Sequence, residues 1–121
     1  MGKTLLLFAT LVMLAASACL KNDVLIGNKF QDVGDVNICC DGRKITFQFQ
    51  FVIGFTFRSG AEQIKYQIYQ SGQQITQLSA GQFPNKITLV GTPSTYDFEI
   101  DKPADGLFEY IIIIHVDVSD S

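Results

Sequence analysis

Hydrophobic and polar residues alternate with a period of two along most of this chain. The longest such run is Ile45 to Phe57, ITFQFQFVIGFTF, where Ile45, Phe47, Phe49, Phe51, Ile53, Phe55 and Phe57 fill every odd position. Successive side chains of a strand point to opposite faces, so this pattern describes a half-buried antiparallel strand. At ~3.3 Å per residue it would span roughly 43 Å, long for a small domain. A two-residue hairpin at Ile53-Gly54 would pair Val52 with Phe55 and turn the second half onto the wrong face. The pattern therefore predicts one bent strand, kinked or bulged near Gly54, where the missing side chain makes bending cheap.

Shorter alternating runs follow the same rule. Val36, Ile38 and Cys40 alternate with Asn37 and Cys39, and Ile64, Tyr66 and Ile68 alternate with Lys65, Gln67 and Tyr69. After a turn at Ser71-Gly72, Gln74 to Leu78 is expected to return as a strand. Ile87 to Val90 forms a short strand, Ser94 to Ile100 alternates Tyr96, Phe98 and Ile100 with Asp97 and Glu99, and Pro103 to Gly106 makes a turn. The last strand covers Leu107 to Val118. If Tyr110, Ile112, Ile114 and Val116 face the core, Ile111 and Ile113 face away from it. Such an outward pair means a strand covered on both faces, an interface with a partner or a second copy, or an apolar stretch guarded by Glu109, His115 and Asp117.

These elements predict an all-β fold, a small antiparallel β-sandwich of seven to eight strands. The strand order resembles an immunoglobulin-like sandwich. Lys44 to Phe51 stands where its second strand would be, Ile64 to Ile75 resembles the third strand and its turn, and Asp105 to Phe108 lies near the place of its conserved corner. That likeness implies a fold and no function.

The first 18 residues depart from the pattern. Lys3 precedes an uncharged, mostly apolar run from Thr4 to Ala15, and Ala16-Ser17-Ala18 is a small-x-small sequence. That order of regions is a secretory signal peptide cleaved after Ala18. The run is too short for a membrane-spanning helix. Cys19 follows the cleavage site at once, and Ala-Ser-Ala-Cys also resembles a relaxed lipoprotein box in which Cys19 would carry a lipid anchor. The organisation expected is a signal peptide over 1–18, a tether or first strand over 19–34 and the sandwich over 35–121. The protein is then secreted or extracytoplasmic, or else lipid-anchored on the outer face of a membrane.

Export changes the meaning of the cysteines. Cys19, Cys39 and Cys40 are an odd set, which implies a free thiol, an intermolecular bond or a modified residue. Neighbouring cysteines make a strained disulfide, so the candidate bond joins Cys19 to either Cys39 or Cys40. With one His and three Cys in the chain, no metal site is expected. No cofactor is expected either.

Charge narrows the partners. The 121 residues carry a net charge of −3 and a pI near 4.9, against the basic patch of a nucleic-acid binder. Asp97, Glu99 and Asp101 share one face of a strand, but at about 6.6 Å between neighbours they are wide for one calcium ion. His115 and Asp117 share a face of the last strand without a nucleophile elbow anywhere in the chain. His115 is expected at the surface, and no catalytic residue is expected.

The function expected is therefore an exported, non-enzymatic binding or structural module, with a protein or a carbohydrate at the cell surface as its partner. Its contacts would come from outward faces rich in Gln48, Gln50 and Gln67, or from the loops at Asp41-Gly42, Arg58-Ser59-Gly60 and Gly91-Thr92-Pro93. A homodimer through Ile111 and Ile113 fits the same class. The alternative is a carrier for a lipid or other apolar ligand, held against a wall of Phe47, Phe49, Phe51, Phe55 and Phe57.

Overall fold

The computed structural model describes residues 2–12, 18–26, 31–40, 43–70, 82–101 and 109–120. They form nine strands: β1 (Gly2–Val12), β2 (Ala18–Ile26), β3 (Gln31–Cys40), β4 (Lys44–Phe51), β5 (Phe55–Phe57), β6 (Ile64–Gln70), β7 (Asn85–Ile87), β8 (Thr95–Asp101) and β9 (Glu109–Asp120). Two antiparallel sheets pack as a sandwich. One has the order β1-β9-β6-β7 with β5 also on β9, and the other runs β2-β3-β4-β8. Setting β1 aside, eight strands remain, four in each sheet.

The alternation in the sequence becomes the core. Val36, Ile38 and Cys40 from β3, Ile45, Phe47, Phe49 and Phe51 from β4, and Ile112, Ile114, Val116 and Val118 from β9 are all buried. The aromatic rings meet one another across and along the two sheets. Phe47 stacks on Phe98 at 4.6 Å, and Phe57 takes Phe51 edge-on at 4.8 Å and Phe49 at 5.5 Å. Aromatic pairs of that kind add about 0.5–1.5 kcal/mol beyond the area they bury.

The run Ile45 to Phe57 is not one bent strand. It ends at Phe51, turns through Val52 to Gly54 with Phe55 N–H donating to the Val52 carbonyl (3.2 Å), and resumes as β5 in the opposite sheet. Gly54 takes a positive φ of 101° in that turn, a conformation that costs glycine little. A crossing between facing sheets lets both halves keep their apolar side toward the core. Phe57 is therefore buried and Phe55 packs partly buried against the same core. Ile53, placed by its parity on the apolar face, sits in the turn and is fully exposed.

Residues 18–26 pair with β3 as a strand. The short strand near Ile87 starts earlier than its pattern implied, at Asn85, and stops at Ile87. Residues 74–78 and the turn at 103–106, like Asp41-Gly42, lie outside the described residues.

Candidate functional site

The outward half of each alternation builds one polar surface. Because β2, β3, β4 and β8 are in register, their outward residues fall into rows across the sheet. Lys21, Asn37, Gln48 and Asp97 form one row, and Asp35, Gln50 and Thr95 continue a second row that begins at Asp23. Cys19, Cys39, Thr46 and Glu99 form a third. Apart from Asp23, the first two rows line a shallow groove of about 770 Å³, with Phe49 and Tyr96 completing its wall.

Short polar contacts tie this surface together. Asn37 donates from Nδ2 to Gln48 Oε1 at 3.3 Å, and Lys21 pairs with Asp35 at 3.4 Å. Lys44 binds Asp101 at 2.6 Å, and its hydrogen bond, with its charge second, holds the Asp101 carboxyl below the usual range. Asp97, Glu99 and Asp101 do share the outward side of β8, as their spacing predicts. Cys39 points outward next to Cys19, and these two are joined by a disulfide. Cys40 points inward as a buried free thiol. Of the two pairings left open by the sequence, Cys19 to Cys39 is the one formed.

A cluster at the end of the groove was not visible in the sequence. A bulge between Val24 and Leu25 shifts the β2–β3 register. Asp23, Asp32 and Asp35 come together there, with one carboxylate oxygen from each within 4.8 Å of the others. The Asp32 charge is the main cause that raises the Asp23 carboxyl above its ordinary value. Two of these acids are exposed and Asp35 is half-buried, and three carboxylates fall short of the six to eight oxygens that calcium takes.

The far end of β9 also differs from its sequence reading. Asp117 is buried and accepts from Arg58 Nη2 at 3.1 Å. His115 is not a surface residue, since its side chain is 14% exposed and lies against the Phe83 ring. Its Nδ1 is 3.9 Å from Asp117 Oδ1, too long for a hydrogen bond. Burial lowers the His115 pKa, against the pull of Asp117. Ile113 faces away from the main core but is covered by Tyr69 and Phe83 in a second small cluster. The side chain of Ile111 lies outside the described residues.

The loop at Arg58-Ser59-Gly60 is held by a residue that the sequence did not single out. Gln63 is 1% exposed. It donates from Nε2 to the carbonyls of Arg58 (2.9 Å) and Gly60 (3.0 Å), and its Oε1 accepts from the Leu89 N–H (2.9 Å). Glu62 beside it adopts a left-handed φ of 56° and donates its N–H to Thr88 Oγ1.

No protein-family model, no curated protein and no solved structure matches this chain.

Proposed function

We propose that this protein is an exported, non-enzymatic binding module that meets a protein or carbohydrate partner through the outer face of the β2-β3-β4-β8 sheet. The groove lined by Lys21, Asp35, Asn37, Gln48, Gln50, Thr95 and Asp97 carries this proposal. Amides, a hydroxyl and both signs of charge lie there on a four-stranded platform. Such groups offer donors and acceptors to a polar partner.

Export is part of the proposal and is supported by the leader pattern of residues 1–18. A disulfide suits an oxidising compartment. A Cys19 sulfur bonded to Cys39 is not free to form a thioether to a lipid, which favours secretion over a lipid anchor. The immunoglobulin-like character of the sandwich is also kept as a proposal, supported by its two antiparallel sheets and strand count. An apolar carrier is less favoured, because Phe47, Phe49, Phe51 and Phe57 are buried in contact with neighbouring rings.

The test uses labelled protein exported from its own source and applied to intact cells of that source. The triple variant N37A/Q48A/Q50A should bind at least tenfold more weakly while unfolding at the same temperature. Equal binding by the two proteins would overturn the assignment of this face.

A further inference from the structure

We infer that removal of residues 1–18 opens the β9 edge of the sandwich, and that a second copy of the chain fills it by antiparallel β9–β9 pairing. This rests on the export proposal above, in which the leader is cleaved after Ala18. In the full chain, β1 pairs with β9 from Gly2↔Ser119 to Val12↔Glu109, so the segment due for removal is itself an edge strand of the sheet. The other side of β9 stays covered by β5 and β6.

The backbone groups that cleavage would release can be named. Asp117 directs its N–H to the Gln63 carbonyl and its C=O to the Arg58 N–H, on the β5–β6 side. Successive strand residues alternate in direction. Ile112, Ile114 and Val116 therefore point their amides toward β1. Their side chains are fully buried with β1 in place. A long apolar edge without proline is the kind of strand that recruits another.

Self-complementarity selects a second copy as the occupant. A two-fold interface pairs each residue with its mirror along the strand. Centring on Ile114 sets Ile114 against itself, Ile113 against His115 and Glu109 against Ser119. That register spans Glu109 to Ser119, the same residues that β1 covers, and keeps core-facing residues on the core side. It places no like charges opposite one another. Centring on Ile113 would oppose Glu109 to Asp117, and centring on His115 would oppose that histidine to itself, each less favourable.

The test is native mass spectrometry of the chain exported from the full-length gene, joined to hydrogen exchange of β9 and to an E109C/S119C variant. Glu109 and Ser119 are roughly 33 Å apart along one strand, so a disulfide between them has to join two copies. The expected result is a dimer of chains that begin at Cys19, with slow exchange at Ile112, Ile114 and Val116. Peptide mapping of the oxidised variant should show the 109–119 bond. A monomer that begins at Cys19 would overturn the inference and leave the export proposal standing. A dimer with fast-exchanging β9 amides and no 109–119 bond would overturn it as well, placing the contact elsewhere. Chains that keep residues 1–18 would overturn both.

Discussion

Replacing Gln63 by alanine should destabilise the sandwich by about 3 kcal/mol, taking three hydrogen bonds at about 1 kcal/mol each. The side chain is buried and holds the Arg58 and Gly60 carbonyls and the Leu89 N–H. Losing it leaves the buried Leu89 N–H and two part-buried carbonyls without this partner, so the cost falls on folding. At an m-value of about 1.5 kcal/mol per molar, the urea midpoint should fall by about 2 M. Gln63→Glu is the informative companion. It keeps an oxygen for the Leu89 N–H but turns a second oxygen toward two carbonyls, and should be nearly as unstable at neutral pH. Urea unfolding with the disulfide intact measures both. A loss below about 1 kcal/mol for the alanine variant, or a glutamate variant that unfolds like the parent, would refute this account of the loop.

Three further outcomes follow from the geometry. The double variant C19S/C39S removes a bond across a sequence separation of 20 and should cost about 3 kcal/mol in thermal or urea unfolding. Gly34→Ala should cost at least about 2 kcal/mol, because overpacking is destabilising. A Cβ there would overlap the Gln50 carbonyl oxygen and come within 2.7 Å of the Phe51 Cα. For His115, burial depresses the folded pKa below its ordinary 6.5. The unfolded chain thus takes up the proton first as pH falls, and stability should drop from pH 6.5 downward until the folded pKa is passed. Lys65 and Arg58 reinforce the depression and Asp117 opposes it. Urea midpoints across that range should flatten in a His115→Asn variant, and an unchanged slope would count against the buried histidine as its source.

The core was legible in the sequence because strand parity is a local property. Val36, Ile38, Phe47 and Ile112 needed only their neighbours to show which way they face. The sheet crossing at Gly54 was not legible, since a chain that passes to the facing sheet keeps the same period as one that simply bends. The polar rows of the groove were half legible. Asn37, Gln48, Gln50 and Asp97 read as outward from their parity, whereas Lys21, Asp35 and Thr95 did not, and Gln48 meets Asn37 and Asp97 only through the ladder registers. Asp23, Asp32 and Asp35 converge through a bulge that leaves no mark in the composition. Gln63 stands alone between a glycine-containing loop and a strand, with nothing periodic to flag it. His115 looked exposed by its neighbours on β9, and it is the Phe83 ring from a distant segment that covers it.

The most direct test of the account is the intact mass of the protein as its own source exports it, taken under non-reducing conditions. The expected result is a chain that begins at Cys19, carries no lipid, and is two hydrogens lighter than its reduced form. A chain with lipid on Cys19 and a free thiol at Cys39, or one that still carries residues 1–18, would contradict it.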